Sequence, residues 1–375
     1  MAVRLLRLQA SVRIFHCDHC ENLVFFENTH CLRCGHLLAF LPDLMEIGSL
    51  DPAGDGTWQS PHPAAGGRTY RLCTNYSGAQ VCNWAVDARR DDALCEACQL
   101  TITIPDLTVE GHQGAWYKLE AAKRRLVYTL LNLRLPIESR SRDPRGLAFE
   151  FLADPVDGQA PIVTGHSSGV ITIALAEADD AERERRRNML GEPYRTLLGH
   201  LRHESGHYYW TRLIEGTDRV AVFRAQFGDE RDDYAAALNR HYANGPAPDW
   251  QTRFVSAYAS AHPWEDWAET WAHYLHITDT LETAAACGVS IRPRRRDEPA
   301  MPNVPATAGT LDTPFDRLMA SWYPLTYLLN SLNRGLGIAD AYPFVLPAAA
   351  VEKLRFVHDT VALTACSLPG RELAP

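Results

Sequence analysis

The segment His203-Glu204-Ser205-Gly206-His207 (HESGH) is an HExxH motif and lies in a stretch whose residue pattern is helical. On an α-helix, side chains four residues apart project to nearly the same side, so both imidazoles can bind one metal ion. Glu204 projects about 100° away from His203, which places it beside a metal-activated water. A glutamate there can take the proton from the water and deliver it to a leaving amine. The motif therefore predicts His203 and His207 as zinc ligands and Glu204 as the general base of peptide-bond hydrolysis.

A catalytic zinc site normally has a third protein ligand. The metzincin pattern would require glycine at position 210 and histidine at position 213, where this chain has Trp210 and Leu213, so that class is excluded. A predicted helix over residues 263–285 instead carries Glu265 and Glu269 one turn apart on one face. We predict Glu265 as the third ligand and Glu269 as the carboxylate that orients a zinc-bound imidazole. The alternative is that both glutamates lie on a solvated surface helix.

Eight of the ten cysteines precede residue 100, and they fall into two groups of four. The first group contains two CxxC pairs ten residues apart, Cys17 with Cys20 and Cys31 with Cys34, a spacing that suits a tetrahedral four-thiolate zinc site. The second group, in which only the last pair is a tight CxxC, consists of Cys73, Cys82, Cys95 and Cys98. We therefore predict two structural zinc ions beside one catalytic zinc, with four-thiolate iron as the alternative metal.

The composition of the 375 residues is that of an ordinary globular protein, with 46% hydrophobic and 22% charged residues. The net charge of −9 argues against a protein whose whole surface binds nucleic acid or anionic membrane. A local basic cluster at Arg292–Arg296 (RPRRR) leaves a nucleic-acid-binding alternative open. No apolar run reaches the ~18 residues of a membrane span, and the arginines near the N-terminus interrupt any signal-peptide pattern. We expect a cytoplasmic protein, in which cysteines bind metal rather than form disulfides.

The change in cysteine content divides the chain into two predicted domains, a zinc-ribbon module over residues 1–105 and a second domain over residues 106–375. Between the two cysteine groups, residues 51–67 are rich in Gly, Pro and Asp, which indicates a linker or long surface loop. A long amphipathic helix is predicted over residues 113–133, and Pro193 is well placed to start the helix that carries HESGH.

Residues 147–152 and 169–175 have the composition of β-strands, with a short apolar segment at 161–164 before the second. We predict two or three antiparallel strands, with the strand 169–175 at the sheet edge, where it could align an extended peptide. Ile171→Pro in that strand would then abolish cleavage without removing zinc. The predicted fold class is α+β: a cysteine-rich zinc-ribbon module followed by a mostly helical, zincin-like domain with a small β-sheet.

The combination of HESGH with the distant sequence WEDWAE resembles the gluzincin arrangement, in which an ExxxD/E pair on a second helix supplies one ligand and one orienting carboxylate. Three stretches, together with the cysteine module, resemble the bacterial zinc-binding metallopeptidase family with an N-terminal zinc ribbon: residues 192–210, 227–234 and 258–277. This resemblance covers most of the chain and implies a peptidase site that acts on a peptide or protein.

By the same resemblance, Tyr258 occupies the place of the tyrosine that hydrogen-bonds the oxyanion in toxin-type gluzincins, and His262 is the second candidate. A different function also fits the sequence. The zinc ribbons could bind a protein or nucleic-acid partner, with the HExxH domain serving as a non-catalytic, zinc-stabilised scaffold. The complete set of base, ligands and orienting carboxylate favours the enzyme.

Overall fold

The computed structural model describes residues 14–155, 160–183, 185, 196–291, 311–342 and 345–367. Both Pro193, the predicted helix start, and the basic cluster Arg292–Arg296 lie outside the described residues. By its internal contacts the chain divides into two compact units. One contains the chain up to Cys95 and a segment from Thr278 to Leu325, and the other contains Glu96–Ile277 and Thr326–Leu368. The domain boundary at residues 105 and 106 stays a prediction.

The first unit contains an antiparallel sheet of five strands in the order in which they occur along the chain. The strands are β1 (Leu37–Leu41), β2 (Glu46–Gly54), β3 (Thr57–Gln59), β4 (Thr69–Leu72) and β5 (Ala85–Asp87), and the short helix α1 (Thr74–Ser77) lies between the last two. Aromatic rings fill its core, since Phe40 contacts Trp84 at a centroid distance of 4.5 Å and both are fully buried.

The prediction of a linker over residues 51–67 is wrong, because β2 and β3 both extend into this stretch. Asp55 and Gly56 connect the two strands with φ values of +51° and +71°. Two consecutive residues at positive φ form the tight turn that matches the twist of a β-hairpin, and Asp-Gly is a favoured sequence for it. The turn residues that suggested a flexible linker are therefore the signal of a hairpin.

The second unit contains a mixed sheet of four strands in the order β6-β7-β9-β8. The strands are β6 (Thr101–Thr103), β7 (Ala148–Leu152), β8 (Gly165–Ser167) and β9 (Val170–Ala174). The pairs β6-β7 and β7-β9 are parallel, and only β8-β9 is antiparallel. Helix α2 (His112–Asn132) forms the crossover that parallel neighbours β6 and β7 require.

Two of the predictions for this sheet are wrong. The strands are not all antiparallel, and the strand at 169–175 does not lie at the edge, because β9 pairs with β7 on one side and with β8 on the other. The two edge strands are β6 and β8, and β8 contains the sequence Gly165-His166-Ser167, which was not predicted as a strand. Ile171→Pro would therefore break an interior strand, so it cannot test alignment of a substrate at the edge.

Helices make up most of the remaining described chain, and the predicted α+β class is confirmed. They are α3 (Leu197–Leu213), α4 (Arg219–Phe227), α5 (Tyr234–Asn244), α6 (Trp250–Arg253), α7 (Pro263–Ala286), α8 (Phe315–Gly335) and α9 (Ala348–Ser367). Among the described residues, no helix has both the length and the hydropathy that crossing a membrane requires.

Helices α3 and α7 approach each other closely at Gly206. A Cβ atom added there would lie 2.9 Å from Cα of Ala268, so the contact depends on the absence of a side chain. Indole N–H groups of α7 bond to α3: Trp267 donates to the Gly206 carbonyl at 2.8 Å, and Trp271 donates to Ser205 Oγ at 3.1 Å. This contact fixes the distance between the helix that carries HESGH and the helix that carries Glu265.

Candidate metal centres

The predicted histidine and glutamate ligands meet at the contact between α3 and α7. Nε2 of His203 lies 3.0 Å from Oε2 of Glu265, and Nε2 of His207 lies 3.6 Å from Oε1 of the same carboxylate. One ligand atom from each of the three residues lies within 4.8 Å of the other two. Zinc bond lengths of about 2.1 Å in a tetrahedron place nitrogen and oxygen ligands about 3.4 Å apart, which agrees with these distances.

The chemistry of Glu265 also fits a metal ligand. Its side chain is 1% exposed, and its two oxygens face the Nε2 atoms of His203 and His207. Burial opposes its ionisation, but His207 and His203 outweigh that effect and lower the pKa of Glu265 to about 2. A buried carboxylate that stays ionised next to two imidazoles is a donor set suited to zinc.

The two imidazoles differ in their surroundings. His203 Nδ1 lies 2.7 Å from Oε1 of Glu269, and Ser256 Oγ donates to Oε2 of the same carboxylate at 2.6 Å. Burial disfavours the charged form of His203, yet hydrogen bonds to Glu265 and Glu269 hold its pKa well above the ordinary value. For His207, burial lowers the pKa to about 3, which keeps that ring neutral. Glu269 thus lies where a carboxylate orients a ligating imidazole.

The remaining predicted site residues lie around this cluster. Glu204 is 9% exposed on α3. Tyr258 begins a 3-10 turn, and its ring centroid lies 5.9 Å from that of His203. His262, the alternative to Tyr258, has both ring nitrogens engaged: Nδ1 accepts from the backbone N–H of Trp264 at 3.0 Å, and Nε2 lies 3.1 Å from the Asp232 carbonyl. His262 thus connects the start of α7 to the loop before α5.

The sequence analysis did not identify Tyr234, which lies in direct contact with the cluster. Its hydroxyl donates to Oε1 of Glu265 at 2.6 Å from the first turn of α5. Burial raises the pKa of Tyr234, and the charges of Glu265 and Glu204 raise it further, so the phenol stays protonated. Tyr234 ends the FGDERDDY stretch, but nothing in the spacing of that stretch relates it to a residue 31 positions later.

Two further aromatic side chains that were not predicted contact His207. The Trp264 ring centroid lies 4.4 Å from the His207 ring, and the His166 ring lies parallel to His207 at 6.1 Å. His166 comes from the edge strand β8 and Trp264 from the first turn of α7. The edge strand β8 and the helices α3 and α7 therefore meet at His207.

Both cysteine groups also converge. Sulfur atoms approach to 3.6 Å between Cys17 and Cys34 and to 3.5 Å between Cys20 and Cys31. In the second group, made up of Cys73, Cys82, Cys95 and Cys98, the Cys82 and Cys95 sulfurs are 3.7 Å apart. A tetrahedral zinc with bonds of about 2.3 Å separates its sulfurs by about 3.8 Å, whereas a disulfide needs about 2.05 Å. The geometry fits metal binding by four thiolates in each group.

Replacing Cys31 with serine should lower the zinc content by one ion per chain, because one buried thiolate ligand is lost. Structural zinc supplies folding free energy, so the variant should also become sensitive to proteolysis within residues 14–95. Mass spectrometry of the native protein and limited proteolysis measure both effects. Cys287→Ser, at an exposed cysteine outside the three ligand groups, is the matched control. Equal zinc content in the two variants would contradict the assignment.

Two four-thiolate groups and a His-His-Glu cluster indicate the class of the molecule: a zinc-ribbon protein with an α+β domain that carries a further candidate metal site. Residues 112–360 match the family described as "Putative zinc-binding metallo-peptidase", and residues 14–109 match a zinc-ribbon domain family. The chain belongs to this zinc-binding metallopeptidase family, as the sequence resemblance indicated.

Curated relatives extend over nearly the whole chain. An uncharacterized protein of Mycobacterium bovis and uncharacterized proteins of two Mycobacterium tuberculosis strains are each 45% identical over 352 residues, which is 93% of this chain and 95% of the relative. No solved structure matches the chain significantly. The similarity to these relatives therefore extends over both family-matched regions of this chain, and their names state no substrate.

Proposed function

We propose that the protein is a zinc-dependent peptidase in which His203, His207 and Glu265 hold the catalytic metal. The observation that carries the proposal is the convergence of two imidazole nitrogens and one buried carboxylate at distances that suit zinc. When bound, zinc would polarise the scissile carbonyl and lower the pKa of the attacking water.

The chain's own groups then supply the proton transfers. Glu204 takes a proton from the attacking water and delivers it to the leaving amine, the role for which HExxH places a carboxylate on the same helix as the ligands. Glu269, held by Ser256, keeps the His203 ring in one orientation and one tautomer.

We also propose that Tyr258 hydrogen-bonds the developing oxyanion, while Tyr234 holds the ligand Glu265. Removing an oxyanion donor typically costs about 10²-fold or more in turnover. Tyr258→Phe should therefore lower kcat about 10²-fold with zinc affinity unchanged. Tyr234→Phe, the matched loss of one hydroxyl, should weaken zinc binding about 10-fold or more. Steady-state kinetics measure kcat, and competition with a zinc-binding dye measures zinc affinity. Weaker zinc binding in Tyr258→Phe together with a lower kcat in Tyr234→Phe would exchange the two roles.

The edge strand β8 is the candidate for alignment of the substrate. Its pairing with β9 leaves the other side of β8 without a strand among the described residues. An extended peptide could add to that side through main-chain hydrogen bonds and pass His166, whose ring contacts His207. The edge alignment predicted from the sequence is thus proposed for β8 in place of β9.

Metal content tests the whole proposal. Protein purified without added metal should contain three zinc ions per chain, and the double variant His203→Ala/His207→Ala should contain two. Cleavage of a random peptide library by the wild type and not by the double variant completes the test. If both proteins contain two zinc ions and the wild type takes up no more on zinc titration, the peptidase proposal fails.

A protein-binding role for the zinc ribbon is the second proposal. Around the first four-thiolate group, Leu23, Phe25 and Leu32 are exposed by 70%, 78% and 92%. Exposed large apolar side chains are typical of protein contacts, whereas nucleic-acid binding depends on clustered cations. The net charge of −9 points in the same direction. A protein partner of the ribbon, rather than nucleic acid, is thus the binding function that fits.

A further inference from the structure

Three aromatic rings beside the catalytic cluster each carry a buried ring nitrogen with no hydrogen-bond partner among the described residues. The atoms are Nδ1 of His166 on β8, Nδ1 of His207 on α3 and Nε1 of Trp264 on α7. The ring centroids lie 4.4 Å apart for His207 and Trp264, 6.1 Å for His166 and His207, and 6.3 Å for His166 and Trp264. The three nitrogens thus belong to one group of mutually contacting rings, the donor pocket.

All three nitrogens are hydrogen-bond donors. The backbone N–H of Gly169 donates to Nε2 of His166 at 3.0 Å, so the proton of that ring is on Nδ1. His207 directs Nε2 toward Glu265 at 3.6 Å, and a ring that ligates through Nε2 carries its proton on Nδ1. The indole nitrogen of Trp264 can only donate. The donor pocket therefore presents three N–H groups and no acceptor of its own.

Buried donors without acceptors destabilise a fold, and native proteins retain few of them. The other ligating imidazole shows the usual arrangement, because His203 Nδ1 is paired with Glu269. The exception at His207 lies against His166 of the edge strand β8, the strand proposed to align the substrate. A group that accepts hydrogen bonds and donates none matches three such donors.

We propose that the donor pocket of His166, His207 and Trp264 binds an oxygen acceptor of the substrate backbone. The inference rests on the proposed peptidase function and deepens it. Two sources share this chemistry: the carbonyl of an internal peptide bond and the terminal carboxylate of a short peptide. If the pocket binds an internal carbonyl, the enzyme is an endopeptidase that binds the extended backbone of its substrate. If the pocket binds a terminal carboxylate, the enzyme is a carboxypeptidase. The indole face of Trp264 adds an apolar wall next to the acceptor.

A direct test uses zinc-loaded Glu204→Gln protein labelled with ¹⁵N-tryptophan, which requires no turnover. The indole resonances of Trp264 and Trp210 are assigned by their loss in Trp264→Phe and Trp210→Phe. Trp210 is the matched control, because its indole nitrogen is also buried without a hydrogen-bond partner among the described residues, and its ring contacts Phe223 and, edge-on at a centroid distance of 6.4 Å, Trp264. The probes are N-acetyl-dialanine as free acid and as amide.

We expect the Trp264 indole proton to move downfield on titration while that of Trp210 stays unchanged. A shift with the acid alone assigns the pocket to a terminal carboxylate, and a shift with both probes assigns it to an internal carbonyl. No shift with either probe, or equal shifts of Trp264 and Trp210, overturns the proposal.

A kinetic test separates this inference from the proposed function. On peptides that the wild type cleaves, Trp264→Phe should raise KM about 3- to 10-fold, the effect of one lost hydrogen bond between neutral groups, with kcat little changed. Trp264→Phe also removes ring volume that packs on His207, so its melting temperature is compared with that of Trp210→Phe, which loses the same volume. An unchanged KM in Trp264→Phe would overturn the proposal. Absence of cleavage by the wild type would instead contradict the peptidase function.

Discussion

Glu204→Gln is expected to reduce peptide cleavage about 10³- to 10⁴-fold while the protein keeps its full zinc content. An amide has nearly the same shape as the carboxylate, but it cannot take the proton from the attacking water or return one to the leaving amine. His203, His207 and Glu265 are unchanged, so the metal ligands are retained. The measurement is kcat/KM on a library-derived peptide, with zinc quantified in the same preparation.

A matched control for this substitution is Glu282→Gln, at another largely buried glutamate, on α7 but outside the ligand groups. It should retain cleavage within a few-fold of wild type, which separates a catalytic effect from general loss of a buried charge. Equal rates for Glu204→Gln and wild type, with zinc bound in both, would exclude Glu204 as the base. If Glu204→Gln loses zinc, its low activity would not test proton transfer. Glu204→Asp, which keeps a carboxylate, would then separate a role of Glu204 in zinc binding from its role as the base.

Gly206→Val should separate α3 from α7 and abolish cleavage. Its Cβ would lie 2.9 Å from Cα of Ala268, and because that atom is backbone, the helices must move apart to accommodate it. Overpacking of this kind costs about 3 kcal/mol of unfolding free energy, and a displacement of about 1 Å between reacting groups costs about 10²-fold in rate. We expect lower stability to urea, weaker zinc binding and at least a 10²-fold loss of activity.

Gly114→Val is the control for this prediction, because Gly114 is also helical but has open space around its Cβ position. On intrinsic helix propensity, that substitution should leave the unfolding free energy within about 0.5 kcal/mol of wild type. Similar stabilities for the two variants would show that the close approach at Gly206 is not required. Normal zinc affinity in Gly206→Val would show that the ligands of α3 and α7 are held together by other contacts.

The sequence predicts well what depends on local spacing. HESGH on α3, the Glu265 and Glu269 pair on α7, and the CxxC pairs each combine residues within a few positions of one another, so helical or knuckle geometry places them. Their convergence over long separations was expected only from the usual need for a third ligand and from resemblance. In the structure, the close approach at Gly206 and indole hydrogen bonds join the two helices next to this convergence.

What the sequence could not predict are contacts between elements. Tyr234, His166 and Trp264 come from α5, β8 and α7, and no periodicity relates their positions. The parallel pairing of β7 with β9 was not predicted, because two short apolar runs close in the chain usually form an antiparallel hairpin. The strand that pairs antiparallel at this edge of the sheet is β8. Only the Asp55-Gly56 turn carried a local signal that could have corrected the linker interpretation.

His203 and Glu265 are separated by about 60 residues of chain, so the proposed zinc site would have a role in folding as well as in chemistry. A bond network that ties position 203 to position 265 acts like a reversible cross-link, and closing a loop of that length removes about 4 kcal/mol of unfolded-state entropy. The segment enclosed includes α4, α5 and α6 together with Tyr234 and Tyr258. Under the proposed ligand assignment, removal of this zinc would therefore lower the free energy of unfolding and shorten the lifetime of the folded chain.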